Sequence, residues 1–266
     1  MKKYRWLLAA ALVAVLAAGC KSKFELLLNG SDTEAKYAAA FDYFNIGKYQ
    51  KSAKLFEALS VAVTGTERDD TVQYYWALSN YRSKDFYTAA ANFQQFVETH
   101  PESPFVEDAE FLRIDCMYRA TYRYELDQTP TYQAITAISE YIVNNIDSPH
   151  IAACNRMLDD LNERLDRKAF ENAYLYYKME DYKAANVALK NVLKDDSDNI
   201  YREKVLFYSA MSSYKYASMS VPEKQKERYL VFADDYYNFI GEYPESSLRK
   251  ELDDAFAKYK KIETKL

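Results

Sequence analysis

Cys20 sits in the setting that most clearly prescribes chemistry. Leu16, Ala17, Ala18 and Gly19 precede it, and together they resemble a bacterial lipobox, where the leader is cut before the thiol and the sulfur takes lipid. Ala17 occupies the place where leucine is usual, with Leu16 one position earlier. Three acyl chains on one residue would hold the chain at a bilayer permanently, because a single chain anchors only marginally. Upstream, Lys2, Lys3 and Arg5 lead an apolar run from Trp6 to Ala18, the layout of a secretory signal. The run is roughly a dozen residues, short of the ~20 that span a bilayer. Lys21 stands where an aspartate retains many lipoproteins at the inner membrane, so a lipid-anchored place on the periplasmic side of the outer membrane is expected.

Other reactive side chains are few. Cys116 and Cys154 are the remaining thiols; export permits a disulfide, but the helical register places them roughly 10 Å apart on neighbouring helices, and two buried free cysteines are expected. His100 and His150 each adjoin a proline, and capping or solvation at a turn is the expected role. No HExxH, no cysteine or histidine pair at ligand spacing, no phosphate-cradling glycine loop and no serine elbow occurs, so the sequence offers no catalytic residue, no metal site and no cofactor. The carboxylate pairs Asp69 with Asp70, Asp159 with Asp160 and Asp253 with Asp254 are expected to be solvated. The chain has 35 basic against 40 acidic side chains; the leader removes three of the basic ones, leaving a mature charge near −8 and no stripe of cations for nucleic acid.

These residues must be positioned by helices. Glycine (5) and proline (6) are scarce in 266 residues while 28% are charged, which favours long uninterrupted helices. A repeat is visible. Ala40, Tyr43, Gly47, Tyr49, Ser52 and Phe56 set the pattern; Ala77, Asp85, Phe86, Ala89 and Phe93 repeat it with Asn80 in a tyrosine's place; Ala173, Tyr176, Tyr182, Ala185 and Leu189 repeat it again. Weaker copies run through Tyr132, Ala134, Ile138 and Tyr141, and through Tyr229, Tyr236, Phe239 and Ile240. Repeat ends match as well: Phe93, Phe96, Val97, His100 and Pro101 correspond to Tyr236, Phe239, Ile240, Tyr243 and Pro244. A small residue on one helix admits the bulky ring of its partner, and each helix pair buries its remaining face against the next. The expected fold is therefore all-α, a tetratricopeptide-repeat solenoid of about five helix pairs in a right-handed superhelix. One long helix is expected from Ile151 to Lys178. The expected organisation is a signal peptide over 1–19, a lipidated tether over 20–32, repeats one to three over 33–150, and repeats four and five over 151–266.

In this register Tyr37, Phe41 and Phe44 on the first repeat, Tyr74, Tyr81 and Arg82 on the second, and Phe111, Tyr118 and Arg119 on the third line a concave aromatic groove. An extended peptide with alternating rings fits such a surface, each buried ring contributing roughly 1.5–3 kcal/mol before ordering costs. A terminal carboxylate would find Arg82 or Arg119 a bidentate partner. Tyr174, Tyr177 and Lys178 form a second cluster, expected to meet a protein partner.

The lipidated cysteine, the five repeats and the run from Leu158 through Arg164, Ala169, Tyr176, Tyr177, Tyr182, Ala184 and Ala185 to Val192 and Leu193 resemble the BamD-type outer-membrane assembly lipoproteins. The block from Phe93 to Pro104 carries the resemblance furthest, and the ending Asp195, Asp196, Ser197, Asp198 departs from it. The resemblance implies a periplasmic scaffold of the β-barrel assembly machinery. On that footing the N-terminal repeats receive unfolded outer-membrane barrel proteins and the C-terminal repeats contact an Omp85-type insertase. The alternative is a periplasmic repeat lipoprotein that scaffolds a cell-wall or division complex.

Overall fold

A computed structural model describes residues 22–263; the expectations for the leader and for Cys20 fall outside them. Every regular element among the described residues is a helix: α1 (Lys23–Leu28), α2 (Thr33–Asn45), α3 (Tyr49–Ser60), α4 (Asp69–Arg82), α5 (Phe86–Thr99), α6 (Val106–Arg119), α7 (Thr129–Asn144), α8 (Ile151–Lys178), α9 (Tyr182–Asp195), α10 (Arg202–Ser218), α11 (Pro222–Glu242) and α12 (Arg249–Glu263). The all-α tetratricopeptide-type arrangement of helix hairpins follows from this order, with α8 spanning the segment read as one long helix. The described residues form two compact units, one from 22–121 with 136–151, the other from 122–135 with 152–263.

One turn geometry recurs between the helices of a pair. Gly47, Lys84 and Glu180 all have positive φ, at 74°, 67° and 62°, each two residues past the end of the preceding helix. In all three turns the next amide closes back on the last helical turn: Lys48 N donates to Tyr43 O at 2.8 Å, Asp85 N to Asn80 O at 3.0 Å and Asp181 N to Tyr176 O at 3.0 Å. This is the left-handed stop that satisfies orphaned carbonyls. Asp85 and Asp181 then cap the following helix, their carboxylates accepting from Thr88 N and Ala184 N, the usual service of an N-cap aspartate.

Two clusters of buried side chains lie in the first unit among the described residues. Ala40, Leu55, Phe56, Leu59, Val63 and Val72 form one; Tyr74, Ala77, Ala89, Phe93, Phe96, Ala109 and Cys116 form the other. In the second unit Phe170, Ala173, Ala185, Leu189, Val192 and Val205 gather in one cluster, and a larger one joins α10, α11 and α12. The repeat alanines Ala40, Ala77 and Ala173 are 0%, 0% and 4% exposed, so the small-against-bulky packing read from the sequence is what closes each pair. Ser52, also on the repeat pattern, donates to Ala40 O at 2.9 Å and bonds Ser79 at 3.0 Å.

The tether segment takes a definite form, and two other expectations are corrected. Part of the tether is helical: Ser22 and Glu25 form a reciprocal capping box, and Phe24, Leu27 and Leu28 dock on the first core. Asp69, Asp70 and Asp253 are not simply solvated, since Asp69 accepts from Gly65 N, Asp70 from Ser103, and Asp253 from Tyr236. The histidines also do more than solvate a turn. His100 stacks on Phe96 at 5.3 Å and lies 3.6 Å from Asp69; His150 stacks on Phe111 at 3.9 Å and lies 3.3 Å from Asp108. Cys116 and Cys154 are both buried and free. No described helix is long and apolar enough to cross a membrane.

Candidate functional site

The aromatic surface of the first unit is built on α2 and α4. Tyr37 lies one turn before Phe41, ring centroids 5.1 Å apart. Phe41 meets Phe56 edge-on at 5.0 Å and Tyr75 at 4.8 Å, and Phe44 reaches Tyr75 at 5.2 Å and Tyr49 at 5.4 Å. Tyr37, Phe41, Phe44, Tyr49 and Tyr75 are half-buried, and Phe56 is fully buried. Arg68 covers Tyr37 at 4.6 Å while paired with Glu34 at 2.7 Å.

Tyr75, which the sequence reading passed over, ties this surface together, and Tyr74 does not belong to it. Tyr74 is 6% exposed and stacks on Phe105 at 4.5 Å inside the second core. Its hydroxyl is pushed up to about 12, first by burial and then by the charge of Asp108. One residue is a 100° turn of the helix, enough to exchange core for surface. Tyr74 shares the inward face with Ala77 three positions on; Tyr75, Leu78 and Arg82 follow the outward one.

Tyr81 and Arg119 are brought together, but around a third residue. Tyr81 donates its hydroxyl to Asp115 Oδ2 at 2.6 Å, and Arg119 Nε donates to the same oxygen. Asp115 is buried, and Arg119 also lies over the Tyr81 and Phe86 rings at 5.8 and 5.7 Å. Burial, then the bond to Asp115, raises the Tyr81 hydroxyl to about 12. Much of the Arg119 charge is therefore engaged within the chain. Arg82 is exposed at the end of α4. Phe111 has one ring face covered by His150, and Tyr118 is half-buried. An aspartate four residues before an arginine was the only sequence signal for the Asp115 node, and aspartate inside a helix is usually solvated.

In the second unit Tyr174 stacks between Phe170 at 5.5 Å and Tyr177 at 5.9 Å, with Tyr208 at 4.4 Å. Lys178 Nζ lies 4.8 Å from the Tyr174 ring and 3.7 Å from Glu171. Burial, ahead of the charge of Glu251, pushes the Tyr177 hydroxyl up to about 12. The predicted trio is thus brought together as the outer end of an aromatic stack. Among the described residues no group of three or more histidine, cysteine, aspartate or glutamate side chains is placed to hold a metal ion.

The family model described as "YfiO: Outer membrane lipoprotein" matches residues 30–231. The chain is similar to the outer membrane protein assembly factor BamD of Caulobacter vibrioides, with 21% identity over 238 residues that cover 88% of this chain and 76% of the relative. It is similar to the assembly factor BamD of Rickettsia prowazekii, again at 21% identity, over 80% of this chain and 85% of the relative. A crystal structure of a thermophilic tetratricopeptide-repeat protein from Thermus thermophilus aligns with 85% of this chain and 99% of its own, at a TM-score of 0.31 and 15% identity.

Proposed function

The chain belongs to the YfiO outer-membrane lipoprotein family, and from that premise we propose that it is a scaffold in the assembly and insertion of β-barrel proteins into the outer membrane. Cys20 carries the lipid that anchors it on the periplasmic side. The first unit receives an unfolded barrel strand, and the Tyr174, Tyr177 and Lys178 surface of the second unit contacts an Omp85-type insertase.

The observation that supports the substrate role is the continuous half-buried ring surface of Tyr37, Phe41, Phe44 and Tyr75, with exposed Arg82 seven residues beyond Tyr75 on the same helix. Seven residues are two helical turns, about 10 Å. That distance matches a ring and a chain-terminal carboxylate about three residues apart in an extended strand, at about 3.3 Å each. The rings supply apolar burial and the guanidinium supplies charge-assisted hydrogen bonds.

Fluorescence anisotropy with a labelled barrel C-terminal peptide that carries phenylalanine about three residues before its terminal carboxylate tests this on the chain lacking residues 1–20. Phe44→Ala combined with Arg82→Ala is expected to weaken binding 10- to 100-fold with the helical circular dichroism unchanged. An unaltered affinity would remove the substrate role. Affinity purification from native membranes tests the assembly role: an Omp85-type barrel among the retained proteins is the expected result, and wall-remodelling proteins in its place would move the chain to the alternative reading.

A further inference from the structure

A groove of about 1110 Å³ opens in the second unit beside α8 and α9. Its rim carries six carboxylates: Asp159, Glu163 and Asp166 from α8, and Asp195, Asp196 and Asp198 from the end of α9 and the turn after it. No lysine or arginine is among its lining residues. The groove is not simply polar, for Leu165, Val192 and Ala169 line it together with three large side chains that stand in water: Tyr132 and Ile200, each 60% exposed, and Tyr176, 44% exposed.

Three features make this arrangement unlike an ordinary solvated helix face. Asp195 and Asp196 sit at the C-terminal end of α9, where the helix dipole already presents negative potential and a cation is the favoured neighbour. Asp166 is held in place by Ile200 N at 3.0 Å, and burial, with Asp196 and Glu163 adding to it, pushes its carboxyl above the usual range. Finally, the acidic turn replaces the aromatic and proline that end other repeats at His100, Pro101 and Tyr243, Pro244. Like charges gathered over exposed apolar side chains oppose folding and leave two kinds of surface unsatisfied at once.

We propose that this groove docks a lysine- or arginine-rich amphipathic helix of a partner polypeptide. Its apolar face would cover Tyr176, Leu165 and Ile200, and its cations would meet the rim. From Asp159 to Tyr176 the α8 wall runs about 26 Å by helix rise, room for a guest helix of about 17 residues. A divalent cation is the poorer occupant, because the carboxylates are dispersed and no chelating group forms among the described residues. The site is separate from the aromatic surface of the first unit and does not depend on the role proposed for it.

The probe is a fluorescein-labelled 18-residue helical peptide of leucine and lysine, with a glutamine-for-lysine version beside it, titrated with the mature chain by anisotropy. We expect the lysine peptide to bind, to weaken steeply as salt is raised, and to lose at least tenfold in affinity against the Glu163→Gln, Asp166→Asn, Asp196→Asn triple variant. A control triple variant, Glu107→Gln, Glu140→Gln, Glu223→Gln, removes the same charge elsewhere and is expected to stay within about twofold of the parent. Should the groove variant lose its helical signal, Ile200→Lys decides: it places a cation in the groove on an exposed side chain and is expected to lose at least tenfold. Equal binding of the glutamine peptide, an equal loss in the control, or full affinity in the groove variants overturns the proposal.

Discussion

Arg119 and Arg82 offer a sharp test, because one is engaged within the chain and the other is exposed. Arg119 and Tyr81 both donate to Oδ2 of buried Asp115, whereas Arg82 stands exposed at its helix end. A hydrogen bond to a charged group is worth about 1.5–3 kcal/mol. The Arg119 side chain is 46% exposed, so the ionic part is screened and the lower half of that range applies, about 2 kcal/mol for Arg119→Met. Tyr81→Phe removes the other bond to that carboxylate while Arg119 remains, at the low end of the same range, about 1.5 kcal/mol. Two donors on one oxygen cannot be independent, and the double variant is expected to depart from the sum by about 0.5–1 kcal/mol. Arg82→Met, which alters an exposed side chain at the helix end, is expected within about 0.5 kcal/mol of the parent. Thermal unfolding by circular dichroism reads these as a drop of about 4–8 °C for Arg119→Met and about 1–2 °C for Arg82→Met. Peptide binding, measured where all variants are folded, is expected to reverse the order, with Arg82→Met the more damaging. The reasoning fails if Arg119→Met unfolds like the parent yet no longer holds the peptide.

The recurring left-handed turn predicts opposite signs at equivalent positions. Lys84→Gly relieves a non-glycine residue at φ 67° and is expected to stabilise by up to about 1 kcal/mol, while Gly47→Ala at φ 74° is expected to destabilise by about the same amount, both read by urea unfolding. At the Arg202 and Glu242 pair, joined at 2.9 Å through Nη2 and Oε2, the guanidinium holds the Glu242 carboxyl below its usual 4.5. A depressed carboxylate contributes stability that is fully present above the unfolded value and lost as pH falls through the folded one. Arg202→Met is therefore expected to lower the unfolding midpoint at about pH 7 and to match the parent near pH 2; a constant difference across that span would refute the assignment. The Cys116 thiol is pushed up to about 12, chiefly by burial, and should resist alkylation at about pH 8 in the folded chain and react fully in denaturant, since only the thiolate attacks.

How much was legible in the sequence differs by the kind of interaction. The helix pairing was legible because Ala40, Ala77 and Ala173 recur with bulky partners at fixed offsets, and burial of those alanines is a requirement of each hairpin separately. The span of α8 was legible because no proline or glycine interrupts Ile151–Lys178. On α4 a single ring differs from the expectation: Tyr74 is buried and its neighbour Tyr75 is half-buried. Tyr74 and Tyr75 are adjacent and chemically identical, so hydrophobic pattern alone cannot rank them; only the Phe105 ring that stacks on Tyr74 decides. The Asp115 node escaped notice for a related reason. Its donors lie 34 residues before it and four after it, and a contact across helices leaves no local pattern.

Recognition in a repeat fold has to be carried by positions the repeat leaves free. A residue such as Ala77 or Phe93 is fixed by the closure of its own hairpin, and changing it costs core packing before it could alter any partner. Departures from the pattern carry no such obligation. Asn80 stands in a tyrosine's place, buried with its Nδ2 unpartnered in the described structure, and the Asp195 to Asp198 turn stands where an aromatic and proline would end the helix. Each is locally unfavourable, one through an unsatisfied donor, the other through like charge at a helix C-terminus. Helix pairing explains neither, because both loosen it. The acidic turn in addition faces a groove with exposed apolar walls, which turns a local cost into a surface that a cationic partner would relieve.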